Sequence, residues 1–164
     1  MSRRALVVSI SSRAAAGVYE DRTGPMLVEG LAALGLAVDG PDVVPDGPEV
    51  ERALRAAVDA AYDLVVTTGG TGLSPTDGTP EATRAVVDRE VPGVAEALRA
   101  TGIAKGVPTA MLSRGVVGVA GRTLVVNVAG SPGACKDALP VLGSVVPHAL
   151  DQLAGTDHRA GGGV

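Results

Sequence analysis

The sequence predicts an α/β fold: a three-layer sandwich with a mostly parallel central sheet, helices on both faces and a late β-hairpin. Three observations carry this. Short β-branched runs alternate with stretches of helical periodicity. Two of those runs, Ala5–Ile10 and Leu64–Thr67, are continuous rather than alternating, as suits strands covered on both faces. Near the end the alternation gives way to two adjacent β runs joined by a tight turn. Strand–helix alternation of this kind builds parallel strands with right-handed crossovers.

Ala5–Ile10 is the first strand. Arg3 and Arg4 before it superficially resemble a signal peptide, but the apolar run is only six residues and Arg13 follows soon after. Pro25–Leu34 places Leu27, Leu31 and Leu34 at helical spacing. Ala37–Val44 is the second strand. Pro48–Ala61 is helical, with Val50, Leu54, Ala57, Val58 and Ala61 on one stripe, and Asp63–Thr68 is the third strand. Thr79-Pro80-Glu81 starts the next helix: Thr caps, Pro suits the first helical position and Glu favours the positive end. That helix runs to about Arg89, and Gly93–Ala100 forms another. Val116–Ala120 and Thr123–Val128 form a hairpin through Gly121-Arg122. Ser131-Pro132 repeats the cap-plus-proline start and leads into Ala134–Leu139. Pro140 then marks a helix junction before Val141–Leu153. Residues 1–155 are expected to form one domain and 156–164 a flexible, glycine-ended tail.

Composition excludes several functions. The 164 residues contain two Tyr and no Phe or Trp, which argues against base-stacking platforms and aromatic cages. A net charge of −4 provides no basic field for nucleic acid or anionic membrane. No apolar run approaches the roughly 18 residues that span a bilayer. The single Cys135 cannot form an internal disulfide, which fits a cytoplasmic protein.

The chemistry concentrates where strands hand over to helices. The segment Thr67–Thr83 leaves the carboxyl end of the third strand and enters a helix N-terminus. Ligands of open α/β sheets bind at such ends. Gly69, Gly70 and Gly72 let backbone N–H groups approach an anion, and Thr71 adds a hydroxyl. Asp77 is placed to hold a divalent cation on a phosphate. The loop is neither a Walker A nor a Rossmann pattern, and a plain strand–loop–helix turn is the competing reading. Asp46 follows the second strand and is expected to face Asp77, where two carboxylates share Mg²⁺. The loop after the first strand carries Ser11 and Asp21. Asn127–Gly133 repeats the strand, glycine turn and helix start. Arg114 has the fork geometry of a phosphate clamp, against a surface salt bridge. Ser131 is weighed against a simple N-cap. His148 and His158 form no metal cluster, and Cys135 reads as a small buried residue.

Taken together, Ser11–Gly24, Val44-Pro-Asp46, Thr68–Gly72, Asp77–Thr83, Met111–Arg114 and Asn127–Gly133 resemble the molybdopterin adenylyltransferases (MogA and gephyrin G-domain type, with MoaB as paralogue), over roughly Ala5 to Gly155. The resemblance implies a homotrimer that transfers AMP from Mg-ATP to the terminal phosphate of molybdopterin, releasing pyrophosphate. A MoeA-type molybdenum insertase would be the partner that uses the product. It also implies catalytic, Mg²⁺-holding roles for Asp46 and Asp77. Nucleotide and phosphate contacts fall to Ser11, Asp21, Gly69, Gly70, Thr71 and Gly72, and molybdopterin contacts to Ser113, Arg114, Asn127, Gly130, Ser131 and Pro132. Thr76, Gly78 and Ala129 depart from the residues usual in the family. The alternative is a MoaB-like molybdopterin-binding or scaffold protein without adenylyl transfer. A CinA-type pyridine-nucleotide hydrolase domain, a third alternative, shares a Gly-Gly-x-Gly loop, but Thr71 and the Thr79–Thr83 run argue against it.

Overall fold

The computed structural model describes residues 2–156. Six strands form one sheet: β1 (Arg4–Ile10), β2 (Ala37–Val44), β3 (Leu64–Thr68), β4 (Arg89–Glu90), β5 (Val117–Ala120) and β6 (Thr123–Val128), in the order β2-β1-β3-β6-β5-β4. The first four in that order run parallel, with β1 paired to β2 and β3, and β3 to β6. The β5–β6 hairpin and the short β4 edge are antiparallel.

The helices are α1 (Ser12–Ala15), α2 (Thr23–Ala33), α3 (Pro48–Asp59), α4 (Thr79–Val86), α5 (Pro92–Ala104) and α6 (Pro132–Ala154), with a 3₁₀ turn at Pro108–Leu112. Alternate side chains of each central strand enter different cores. Ala5, Val7, Leu64, Val66 and Val126 meet α2, α5 and α6 on one face, through Leu27, Leu31, Ala95 and Leu142. Leu6, Val8, Ile10, Val65 and Val125 meet α3 on the other, through Val50, Leu54 and Ala57, with Ala82 and Val86 of α4 alongside. Burial on both faces explains the continuous hydrophobic runs of β1 and β3.

Three local expectations change. The helix begun at Thr79 ends at Val86 rather than near Arg89. Asp88 and Val91 instead donate their amides to Val119 and Val117, so Arg89–Glu90 extends the sheet. Val91 precedes Pro92, which disfavours helical backbone there. Pro140 is no junction: α6 runs unbroken through Pro140 and Pro147. Its buried stripe Cys135, Ala138, Leu142, Val146 and Leu150 pins it to the sheet despite the lost backbone bonds. Thr79 is not the cap of α4. Gly78 takes that position, while the Thr79 hydroxyl turns inward to the Gly69 carbonyl at 3.0 Å. Of the expected tail, Thr156 still bonds the Asp151 carbonyl beyond the end of α6, and 157–164 lie outside the described residues.

Candidate active site

The chain steps outward from β1 to β2, then returns to β3 on the other side of β1. At that reversal the loops leaving β1 and β3 diverge around the sheet edge and open a crevice. The β1 loop brings Ser11 and Ser12, the β2 loop Asp46, the β3 loop Gly69–Gly78, and the β6 loop Gly130–Ser131. The β3 loop crosses so close to β1 that a Cβ on Gly69 (φ +101°) would collide with the Ile10 carbonyl. One on Gly70 (φ +66°) would collide with the Thr79 hydroxyl. A Gly130 Cβ would lie 3.1 Å from Gly69 Cα, so two glycine turns face each other across the crevice.

Two cavities open there. One, of about 700 Å³, is lined by Ser11, Asp21, Asp46, Gly69 and Pro132 among others. The second, of about 370 Å³, is lined by Thr71, Gly72, Ser113, Asn127 and Ser131 and continues between α5 and α6. Gly70, Asp77 and Gly130 line both. The cavities therefore meet at Asp77.

Asp46 and Asp77 both line the larger cavity. The Asp46 carboxylate accepts from the Ser12 hydroxyl at 2.9 Å, and the Asp46 amide donates to the same hydroxyl at 3.1 Å. Asp77 Oδ2 accepts from the Ser74 amide at 3.2 Å. Among the described residues no cluster of three or more metal-ligating side chains exists. Two carboxylates suit Mg²⁺, which commonly takes one or two carboxylates plus substrate phosphates and water.

Several predicted residues are already engaged. Ser11 accepts from the Ala14 amide as the cap of α1 and shares a 2.7 Å bond with the Tyr19 hydroxyl. Asp21 accepts from the Ser9 hydroxyl at 2.6 Å and the Gly24 amide at 3.1 Å. Ser131 caps α6, accepting from the Ala134 amide. Asn127 is buried. Its amide group donates to Thr67 and Thr83, and its Oδ1 accepts from the Val116 amide. Its side-chain donors are thus used in joining β3, β6 and α4 at the wall of the smaller cavity. Arg114 lines neither cavity. Its guanidinium bonds the Gly72 carbonyl at 2.9 Å, the Asp77 carbonyl at 3.0 Å and the Glu81 carboxylate. That hydrogen bond holds the Glu81 carboxyl below the usual range. The cavities also divide the expected ligand sets differently: Thr71 and Gly72 line only the smaller one, and Pro132 only the larger.

Sequence reasoning missed Ser12, Thr79, Thr83 and Glu81. They stand inside the Ser11–Gly24 and Asp77–Thr83 motifs, but their partners Asp46, Gly69, Asn127 and Arg114 lie 10 to 44 positions away, so the motifs mark these residues without showing what they bond. Cys135 is buried against Thr68, and desolvation pushes its thiol up, outweighing the opposing effect of the hydrogen bond with Thr68.

Residues 6–148 match the family described as "Probable molybdopterin binding domain". A Helicobacter pylori (strain J99) protein named molybdopterin adenylyltransferase is 38% identical over 153 residues, covering 91% of this chain and 86% of that protein. A Chlorobaculum tepidum protein named molybdenum cofactor biosynthesis bifunctional protein is 39% identical over 156 residues; the match spans 94% of this chain but only 50% of that longer protein. Among solved structures, the Mog protein from Mycobacterium ulcerans superposes with a TM-score of 0.88 at 53% identity, over 93% of this chain and 99% of that one. The family match over most of the chain and the fold shared with these relatives show that this chain belongs to the molybdopterin-binding domain family of molybdenum cofactor biosynthesis.

Proposed function

We propose that this protein is a molybdopterin adenylyltransferase, joining AMP from Mg-ATP to the terminal phosphate of molybdopterin and releasing pyrophosphate. The observation that carries the reading is the meeting of two cavities at Asp77. A two-substrate transfer needs two sites that share one reacting point. The larger cavity, with Ser11, Asp21 and Gly69, is assigned to the nucleotide. The smaller, with Ser113 and Ser131, is assigned to molybdopterin.

The acceptor phosphate is itself the nucleophile, so no Ser–His or Cys–His pair is required. Catalysis rests on positioning and charge. Asp46 and Asp77 would hold Mg²⁺, which neutralises phosphate charge during the transfer. Backbone N–H groups of Gly70–Gly72 would stabilise phosphate oxygens, the Gly69 amide being taken by the Val128 carbonyl at 3.0 Å, and the Thr71 hydroxyl, bonded by Ser113 at 3.2 Å, is held in the wall of the smaller cavity. The same reading implies a cytoplasmic homotrimer and an insertase of the MoeA type as consumer of the product. No described helix is long and apolar enough to cross a membrane.

Purified protein incubated with Mg-ATP and molybdopterin is expected to yield adenylylated molybdopterin and pyrophosphate in equal amounts, read by chromatography. Folded protein that binds molybdopterin but forms neither product would overturn the reading in favour of a binding or scaffold role.

A further inference from the structure

The Gly72–Asp77 loop carries an acid that must face two cavities at once, yet it has little apolar anchorage of its own. Leu73 within it is 66% exposed. Four contacts from Arg114, just after the 3₁₀ turn, hold it instead. The Arg114 amide donates to the Thr71 carbonyl at 2.8 Å, just before the loop. Arg114 Nε donates to the Gly72 carbonyl where the loop begins, and Nη2 to the Asp77 carbonyl where it ends. Nη1 meets Glu81 in the first turn of α4, so the guanidinium is itself fixed against the helix that follows. All three side-chain nitrogens are engaged and the residue lines neither cavity. Within the loop, the Ser74 amide bonds the Asp77 carboxylate and the Asp77 amide bonds the Ser74 carbonyl. A planar fork with fixed donor directions ties both loop ends at a set separation, which a single ammonium point charge does not do.

We propose that Arg114 is a positioning residue: it clamps the two ends of the Gly72–Asp77 loop and so sets the Asp77 carboxylate at the junction of the cavities, rather than binding substrate. In its kinetic form the proposal rests on the adenylyl-transfer reading above. A small displacement of a reacting group lowers turnover by about 100-fold. Arg114→Ala is therefore expected to lower kcat by about that factor while the Kd for molybdopterin, measured separately by calorimetry, moves less than about threefold. Arg114→Lys keeps the positive charge but loses the fork, and is expected to recover little of the kcat. A phosphate contact would behave the opposite way, with Kd rising in step and Lys restoring much of it.

Amide hydrogen exchange tests the clamp without any substrate. Exchange at Ser74 and Asp77 is expected to quicken about tenfold or more in both variants, because their bonds close only while the loop ends are held. If Arg114→Ala does not fold, Arg114→Lys carries both measurements, and Glu81→Gln, which keeps an acceptor for Nη1, is expected to give a smaller change of the same kind. Unchanged exchange in the variants overturns the proposal. So does a Kd that rises while kcat holds, or wild-type kcat in Arg114→Lys. If the unsubstituted protein forms no adenylylated product, the reading of function fails, and exchange alone decides the clamp.

Discussion

Asp46 and Asp77 differ in what already occupies each carboxylate. Asp46 is tied to Ser12 of α1, whereas Asp77 closes its own loop through the Ser74 amide. Asp77→Asn keeps an acceptor for Ser74 but removes the charge. Its transfer rate is expected to fall by about 100-fold or more, with an unchanged thermal midpoint. Asp77→Ala should lose the rate and some of the midpoint as well, both readable by product assay and calorimetry. Asn127 contrasts with both acids: it is buried, lines the smaller cavity and ties Val116, Thr67 and Thr83 together. Asn127→Leu strands the Val116 amide and should destabilise the protein by at least about 2 kcal/mol, measured by denaturant unfolding. Glu81 gives the pH prediction. Its folded pKa lies below its unfolded value, so its contribution is full above about pH 4.3 and is lost as pH falls through the lower folded value. The effect is small because the side chain is 59% exposed. Glu81→Gln should flatten that part of the acid-unfolding curve. Cys135, buried and held as the thiol, should react with Ellman's reagent at neutral pH only as fast as the protein opens.

Elements were legible in proportion to how local their causes are. The proline starts of α3 and α6 and the Gly121-Arg122 hairpin turn follow from chain chemistry within a few residues, and the structure has them. The end of α4 and the unbroken α6 were not legible. Sheet-edge bonds to β5 decide the first, and a packed stripe that overrides two prolines decides the second. The short α1 and the 3₁₀ turn lacked any periodic signal, since each is one turn long. The β3 loop shows the same division. Its glycine content marks a tight turn, but only the approach of β1 explains why Gly69 admits no side chain. Gly69→Ala combines a positive φ with a collision against the Ile10 carbonyl. A loss of about 1–3 kcal/mol is expected, together with reduced nucleotide affinity.

At the scale of the whole molecule, the sheet separates two cores that share no side chains. Leu54 beneath α3 and Leu142 beneath α6 are each fully buried, on opposite faces. Leu54→Ala and Leu142→Ala are each expected to cost about 2–5 kcal/mol. The double variant should be additive within about 0.5 kcal/mol; a larger coupling in denaturant unfolding would mean that the sheet transmits strain between its faces.

By itself the sequence determined the α/β class, most of the strands and helices, and the acids and glycines that the crevice is built from. These depend on periodicity, turn chemistry and residue type, which act over a few neighbours. Only the tertiary structure decided that the two acids line one cavity, that Asp77 stands where two cavities meet, and which bonds tie Asn127 and Arg114 into the frame around it. Those outcomes depend on strand order and on bonds between residues dozens of positions apart, where a side chain's donors are claimed by whichever partner the fold brings within reach.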